Sequence, residues 1–181
     1  MESSGPDITL PGGSVLALRP VTPDDAEFLL AVYASTRADE LAQVNWDAAQ
    51  KDAFLRMQAD AQRREYEARY PDAQYDVILL DGEPVGRLWI GRGEAEIRLL
   101  DIALLPAAQN RGVGGALLRR LLAEARQTGK RLRHMVFILN PDARRFYERL
   151  GFRVIEDVGA YQHMEWQGDA DGGEAAAIAR S

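Results

Sequence analysis

A short glycine-rich segment, residues 109–115 (QNRGVGG), constrains the fold of this 181-residue chain more than any other feature. An apolar, strand-like run ends just before it at Leu105, and an amphipathic helix is predicted directly after it, over Gly112 to Thr128. Such a strand-to-helix connection brings unpaired backbone N–H groups and the positive end of a helix to one place. Because glycine has no Cβ, anionic oxygens can approach the main chain closely. The segment therefore predicts an anion site in an α/β protein.

The elements on either side follow from hydrophobic periodicity and from capping and turn residues. The predicted helices run from Thr22 to about Thr36, from about Asp47 to Tyr70, from Gly112 to Thr128 and from Asn140 to Leu150. The predicted strands cover residues 15–18, 75–80, 84–90, 94–105, 132–139, 152–156 and 161–166. The early strands form hairpins and the later ones alternate with helices, so we expect a mixed α/β (α+β) sheet with a parallel pair near its middle.

Length and composition predict one domain between two flexible ends. With 46 % apolar residues, the chain is long enough for one well-cored domain, which we expect over residues 15–167. Residues 1–14 are rich in Ser, Gly and Pro, and residues 168–181 are small and acidic without aromatics. Segments of this kind bury too little apolar surface to stay ordered, so we expect both to be flexible.

Composition also excludes several classes of function. The absence of cysteine rules out disulfides, thiolate metal sites and a cysteine nucleophile, and with only two histidines no metal site is expected. No apolar run approaches the length of a membrane span, and the N-terminus lacks the pattern of a secretory signal. The formal charge of −6 argues against nucleic-acid binding. We therefore expect a cytoplasmic protein without a nucleic-acid or membrane partner.

The charge is nevertheless uneven. From Gln109 to Arg133 the chain has seven basic residues against one acid, Glu124. One interpretation is a solvated helix face with a basic last turn. The other is that these cations complement an anion at the glycine segment. The P-loop and Rossmann glycine patterns are both absent, so neither nucleotide-binding motif explains the segment.

The glycine segment resembles the Q/R-x-x-G-x-G/A signature of the GCN5-related N-acetyltransferase (GNAT) family. Residues 100–106 (LDIALLP) resemble the strand that leads into the loop of that family, and residues 140–152 resemble its second cofactor-side element. The likeness spans roughly residues 15–166 by the order of the elements. It implies a GNAT-like mixed, mostly antiparallel sheet with a splayed parallel pair in the middle and flanking helices. It also implies acetyl-CoA as the acetyl donor.

The same resemblance implies where the cofactor would bind. Backbone groups of residues 102–104 would pair with the pantetheine arm, residues 110–115 would wrap the pyrophosphate, and Asn140 would reach the pantetheine. Asn140 is also a good helix N-cap before Pro141, and the two roles can coexist. The predicted cofactor-binding residues are Ile102, Ala103, Leu104, Gln109, Asn110, Arg111, Gly112, Val113, Gly114, Gly115, Asn140 and Tyr147.

Tyr147 matches the family tyrosine that serves as general acid toward the cofactor sulfur. A tyrosine with an unperturbed pKa of about 10 is protonated at neutral pH and can donate. The alternative is an aromatic that packs with Phe146 and Phe152. The general base stays unassigned, because a water chain can also serve. The candidate side chains are Glu96, Asp101, His134, His163 and Glu165.

On the second predicted helix, Gln58, Gln62, Tyr66 and Tyr70 recur every four residues. This stripe is either part of an acceptor wall, as the resemblance implies, or a solvated face.

The function these features predict is acetyl transfer from acetyl-CoA to a primary amine, directly within a ternary complex. The alternative is a non-catalytic acyl-CoA binding or sensing module. The acceptor is a small-molecule or peptide amine that the sequence does not identify. A homodimer through the C-terminal strands is compatible with the sequence, which does not decide the oligomeric state.

Overall fold

The computed structural model describes residues 5–166, so the predicted tail at 168–181 lies outside the described residues. Within that range the chain forms eight strands and five helices. The strands are β1 (Ile8–Thr9), β2 (Val15–Pro20), β3 (Gln74–Leu80), β4 (Glu83–Arg92), β5 (Glu96–Leu104), β6 (Arg131–Phe137), β7 (Arg153–Val158) and β8 (Tyr161–Trp166). The helices are α1 (Ala26–Thr36), α2 (Ala38–Ala42), α3 (Ala48–Arg69), α4 (Val113–Thr128) and α5 (Pro141–Arg149), with short 3₁₀ turns at Pro23–Asp25 and Pro106–Ala108.

The strands follow the order β1-β2-β3-β4-β5-β6-β8-β7 in one mixed sheet. Strands β5 and β6 run parallel, with register from Glu96↔Arg131 to Leu99↔His134. The pairs β1–β2, β2–β3, β3–β4, β6–β8 and β7–β8 are antiparallel. The predicted fold class, a mostly antiparallel mixed sheet with a parallel pair and flanking helices, is confirmed. The described residues divide into two compact units, 5–91 with 100–117 and 92–99 with 118–166.

The first unit contains strands β1 to β4, the end of β5 and helices α1 to α3. Its core holds fully buried side chains such as Leu16, Val32 and Ile78. Helix α1 is entered through Asp25, whose carboxylate accepts hydrogen bonds from the Thr22 N–H (2.8 Å) and from both Arg19 guanidinium nitrogens (2.7 and 2.6 Å). The Arg19 hydrogen bond is the main reason that the pKa of Asp25 lies well below its usual range.

The second unit contains the start of β5, strands β6 to β8, most of α4, and α5. Leu99, Leu132 and Met164 are fully buried in its core. Helix α4 ends at Gly129, which has φ +66°, and the Lys130 N–H returns to the Ala125 carbonyl at 3.0 Å. This is the hydrogen bond expected of a glycine C-cap.

The structure adds two elements to the predicted ones. Helix α2 has no buried residue, so its sequence carries no hydrophobic period by which a helix can be found. Strand β1 lies in the segment that the sequence predicts to be flexible, where it pairs with β2 through Ile8↔Leu16 and Thr9↔Val15. The neighbouring Leu10 is only 5 % exposed, so this part of the segment is held against the core of the first unit.

Candidate functional site

The glycine segment forms the connection between β5 and α4 in the first unit. Asn110 and Gly112 both have positive φ, of 58° and 83°, a conformation that Asn tolerates and Gly adopts at no steric cost. The Ala116 N–H donates to the Gly112 carbonyl at 3.0 Å, so the first helical hydrogen bond starts at Gly112. The N–H groups of the first turn, including those of residues 113–115, then have no acceptor within the helix. The segment has the backbone form of an anion nest.

The pattern of buried and exposed residues shows that this nest faces outward. Val113 and Leu117 are each 1 % exposed and fix the start of α4 in the core of the first unit. Residues 109–112 are exposed, and a Cβ placed on Gly112 would meet no atom within 4 Å. The cradle that the resemblance predicts is therefore open, and its exposed cation is Arg111. These features fit a pyrophosphate, which needs main-chain donors, a helix N-terminus and positive charge.

Residues 102–104 form the last part of β5, immediately before the nest. The Gln109 side chain donates from Nε2 to the Leu104 carbonyl at 3.0 Å, so the signature glutamine braces the end of the strand. The Leu105 N–H donates to the Val85 carbonyl at 2.9 Å. At Gly86 a Cβ would lie 2.3 Å from the Ala103 carbonyl oxygen, a separation that only glycine permits. The end of β5 is thus held closely by β4.

An ion pair that the sequence analysis did not predict lies next to these residues. The Arg87 Nε and the Asp101 Oδ2 are 2.6 Å apart, with side-chain exposures of 6 % and 20 %. Arg87 also donates to the Gln62 Oε1 at 3.1 Å and lies 5.4 Å from the centroid of the Tyr33 ring. Burial opposes the charge on Arg87, but Asp101 and Tyr75 outweigh it and raise the pKa of Arg87. Asp101 is therefore held by a guanidinium that stays charged.

Aromatic side chains surround this pair in the first unit. Tyr75 stacks on Trp89 with centroids 4.0 Å apart, and Tyr66 meets the edge of the same indole at 5.1 Å. The Tyr66 hydroxyl donates to the Leu100 carbonyl at 3.1 Å, on the strand that carries Asp101. Burial raises the pKa of Tyr75. The solvated-face interpretation of the α3 stripe is wrong for Gln62 and Tyr66, which bond to β4 and β5. The sequence does contain an indication of this network, because Arg87 is a charged residue within the apolar run 84–90.

In the second unit, Asn140 begins helix α5. Its Oδ1 accepts a hydrogen bond from the Ala143 N–H at 3.0 Å, and Pro141 occupies the first helical position. The predicted N-cap role is confirmed. The side chain is exposed, so capping leaves the rest of its surface accessible to a ligand.

Tyr147 lies on the buried face of α5 and is 4 % exposed. Its ring contacts those of Phe146 and Phe152 at centroid distances of 5.3 and 5.5 Å, so the predicted aromatic packing is present. A third ring, that of His134 on β6, lies closer, at 4.5 Å. His134 Nδ1 is 2.9 Å from the Leu99 carbonyl oxygen. On sequence grounds His134 is only one of several candidate bases.

The other candidate bases are engaged in ion pairs. Glu96 is 2.9 Å from both Arg98 and Arg133. Glu165, with 2 % of its side chain exposed, is 2.5 Å from Arg133. His163 is 3.6 Å from Glu156. Together with the Arg87 pair at Asp101, every carboxylate among these candidates has an arginine partner.

Two further findings concern the residues that the structure describes. No helix there is both long and apolar enough to cross a membrane. No group of three or more His, Asp or Glu side chains is arranged to hold a metal ion in that part of the chain.

Comparison with known proteins identifies the family. Residues 38–152 match the sequence profile of the Acetyltransferase (GNAT) family. The uncharacterized N-acetyltransferase CgeE of Bacillus subtilis (strain 168) is 28 % identical over 105 residues. That match covers 52 % of this chain and 40 % of CgeE, so the chain spans less than half of that relative.

Solved structures agree with this match. The chain is similar to an acetyltransferase from Thermus thermophilus, with 28 % identity, a TM-score of 0.61 and coverage of 83 % of this chain and 96 % of that one. The PaiA N-acetyltransferase of Thermoplasma acidophilum, in complex with coenzyme A, shares the fold at 18 % identity, with a TM-score of 0.63 and coverage of 84 % and 98 %. The GNAT domain of S. lividans PAT likewise shares the fold at 21 % identity, with a TM-score of 0.59 and coverage of 89 % and 95 %.

Because the family profile covers well over half of the chain, this protein belongs to the GNAT acetyltransferase family. Acetyl-CoA is the acetyl donor of that family. The resemblance recognised from the glycine segment, residues 100–106 and residues 140–152 is thereby confirmed.

Proposed function

We propose that the protein is an acetyl-CoA-dependent N-acetyltransferase that transfers the acetyl group directly to a primary amine within a ternary complex. The observation that carries the proposal is the outward-facing nest at residues 109–115. It combines two left-handed residues, Asn110 and Gly112, with the N-terminus of α4. These groups suit a pyrophosphate better than they suit a simple turn, because they leave the Gly112 side of the loop open.

The remaining predicted residues would have separate roles in acetyl transfer. The strand end at residues 102–104 offers backbone groups beside the nest, and polar backbone groups of this kind can polarise a thioester carbonyl. Tyr147 would supply the proton that the departing thiolate needs, in its role as general acid. Asn140 would contact the pantetheine arm from the start of α5.

The acceptor we propose is a small-molecule or peptide amine, taken up by a protein that works in the cytoplasm without nucleic acid or membrane. Around Asp101 the first unit offers a paired carboxylate and the aromatic rings of Tyr66, Tyr75 and Trp89. The proposal includes a homodimer formed through the C-terminal strands.

A coupled assay tests the function. Purified protein is mixed with acetyl-CoA and a panel of primary amines, including peptide α-amines, lysine, polyamines and aminoglycosides, and release of free coenzyme A is followed. We expect saturable release with at least one class of amine. Tyr147→Phe should lower kcat by about 10-fold or more and leave the affinity for acetyl-CoA within about 2-fold, because the ring keeps its packing and loses only the proton donor.

A second function is favoured by one observation, the pairing of all the candidate carboxylate bases with arginines. A non-catalytic acyl-CoA sensor would need only the nest. Calorimetric binding of acetyl-CoA without turnover on any amine would favour the sensor and contradict the transferase. Turnover that is unchanged in Tyr147→Phe would instead contradict the general-acid assignment.

A further inference from the structure

We propose that His134 restores the proton of Tyr147 in each catalytic cycle, so that the two side chains act as a proton couple. This inference rests on the proposed function, because it assumes that Tyr147 protonates the leaving thiolate. His134 acts only through Tyr147 and is therefore a positioning and proton-supplying residue. Both residues lie in the second unit, and their rings are 4.5 Å apart between centroids, tilted by 41°.

The hydrogen bond of His134 fixes which nitrogen titrates. A carbonyl oxygen only accepts, so the 2.9 Å contact with the Leu99 carbonyl requires a proton on Nδ1. The neutral ring is then the Nδ1–H tautomer, and Nε2 is the nitrogen that gains and loses a proton. Leu99 is also the residue that pairs with His134 in the parallel ladder of β5 and β6. The anchor thus holds the ring at one strand position with one defined acid–base nitrogen.

Burial makes such a partner necessary. Tyr147 is 4 % exposed and is enclosed by Phe146, Phe152 and His134. Of the three rings that contact Tyr147, the imidazole of His134 is the one that can carry a proton to give. A phenolate left at Tyr147 after transfer would be charged, buried and poorly solvated, which is costly. An imidazolium is in general a stronger acid than a phenol, so the proton passes from the imidazolium to the phenolate.

The proton balance of the reaction closes with these two groups. The amine nitrogen attacks the thioester carbon, the N–C bond forms, and the C–S bond breaks with its electron pair on sulfur. Tyr147 gives its hydroxyl proton to the thiolate, and the His134 Nε2–H gives its proton to the phenolate. The acylated nitrogen releases one proton to solvent, and His134 takes one up from solvent. The net change moves one proton from nitrogen to sulfur.

Other charged groups near His134 are directed elsewhere. Its register partners, Leu99 on β5 and Met164 on β8, are apolar. Arg133 and Glu165 occupy the alternate strand positions, which face the opposite side of the sheet, and they pair with each other at 2.5 Å. On α5, Arg144 and Glu148 pair with each other at 2.7 Å on the exposed face. The ring contact between α5 and His134 is made by the titratable side chain of Tyr147.

The sharpest variant is His134→Asn, because the Asn amide can keep the hydrogen bond to the Leu99 carbonyl but has no titrating nitrogen. The chain provides a matched control in its other histidine, His163, which sits on the adjacent strand β8 and faces Glu156. We expect His134→Asn to lower kcat about 10-fold near pH 6, with the KM for acetyl-CoA unchanged. The deficit should shrink as pH rises, because wild-type His134 loses its own proton. His163→Asn should match wild type at every pH.

Two further measurements separate a proton role from packing. In the Tyr147→Phe background, His134→Asn should cause no additional loss of kcat. Tyr147→Phe already abolishes the proton transfer in which His134 takes part, so the two effects should not add. Nitrogen-15 NMR of the imidazoles, which needs no turnover, should show the Nδ1–H tautomer for His134. Its titration should shift in Tyr147→Phe.

The outcomes discriminate between this inference and the function on which it rests. Wild-type turnover with His134→Asn equal to wild type near pH 6, or with a deficit that is the same at all pH values, overturns the proton couple and leaves the transferase in place. An Nε2–H tautomer in the NMR spectrum also overturns it. Absence of transfer by the wild-type protein on every amine overturns the proposed function and the couple together.

Discussion

The two compact units contain candidate sites of different kinds. In the first unit the candidate site consists mainly of backbone, namely the nest at residues 109–115 and the strand end at 102–104. Its charged side chain Asp101 is fixed in an ion pair with Arg87. In the second unit the candidate site consists of side chains, with Tyr147 buried among rings and His134 anchored through Nδ1.

This difference matches the two kinds of chemistry that we propose for the units. Backbone N–H groups and a helix N-terminus bind anions at any ordinary pH, because they do not titrate. A phenol beside an imidazole moves protons, and its activity changes with pH. Donor binding should therefore depend on the geometry of the first unit, while turnover should depend on the protonation of the second.

The largest effect should come from a charge placed in the nest. Gly114→Glu adds a Cβ and a carboxylate at the N-terminus of α4, where an anion should bind. We expect the affinity for acetyl-CoA to fall by about 1,000-fold or more, or about 4 kcal/mol. Ala123→Glu is the matched control, because it adds the same carboxylate to an exposed position of the same helix. Equal calorimetric affinity of the two variants would exclude the nest as the donor site.

The next largest effect should come from the Arg87–Asp101 pair. Asp101→Asn leaves a buried guanidinium without its counter-charge, so we expect the free energy of unfolding to fall by about 3 kcal/mol. Because Arg87 already holds Asp101, kcat for the folded protein should stay within about 3-fold of wild type. A loss of kcat of about 100-fold with unchanged stability would instead identify Asp101 as the general base. The double variant Arg87→Met/Asp101→Leu should regain most of the stability, which urea unfolding can measure.

The contrast between a backbone site and a side-chain site also explains which parts of the candidate site the sequence could predict. The glycine spacing at 112, 114 and 115 encodes backbone geometry directly, because residues without a Cβ are required where the main chain must be approached. The fold class and the family followed from that segment and the elements around it. The Arg87–Asp101 pair and the His134–Tyr147 contact join residues far apart in the chain. Nothing local at either partner specifies the other, so these contacts needed the structure.

The predictions for single residues divide in the same way, between contacts that are local in the sequence and contacts between distant residues. The N-cap at Asn140 was predictable because a cap and its acceptor lie three residues apart. The α3 stripe was ambiguous, because a polar side chain every four residues fits a solvated face and a buried network equally well. Strand β4 supplies Arg87 as the partner of Gln62, and although Arg87 stands out as a charge in an apolar run, nothing in the sequence pairs it with α3.

A smaller effect is expected at Gly86, where β4 approaches the strand end. An added Cβ would lie 2.3 Å from the Ala103 carbonyl oxygen and 2.8 Å from the Leu104 Cδ2, so the backbone of β5 must move. We expect Gly86→Ala to cost about 2 kcal/mol of stability and to weaken acetyl-CoA binding. Gly93→Ala, whose Cβ would make an ordinary 3.5 Å contact, is the control. Lost stability with full donor affinity would show that the strand end does not contribute to binding.

The smallest effect concerns the pH dependence of stability, which should be distinct from the pH dependence of turnover. Arg19 lowers the pKa of Asp25 in the folded protein below that of an unfolded aspartate, which is about 3.9. Asp25 therefore adds stability that is fully present above that pH and is lost as the pH falls toward the folded pKa. Asp25→Asn removes the negative charge that pairs with Arg19, so it should cost about 1 kcal/mol at pH 7, and the deficit should shrink below pH 4.

Asp24→Asn, an exposed neighbour, is the control for this last variant, and urea unfolding at pH 7, 4 and 3 measures both. The acid loss through Asp25 concerns folding and lies well below the range in which an imidazole titrates. A change of kcat between pH 6 and 9 therefore cannot come from loss of the Asp25–Arg19 ion pair. If Asp25→Asn altered the pH profile of kcat in that range, the assignment of turnover to the side chains of the second unit would be wrong.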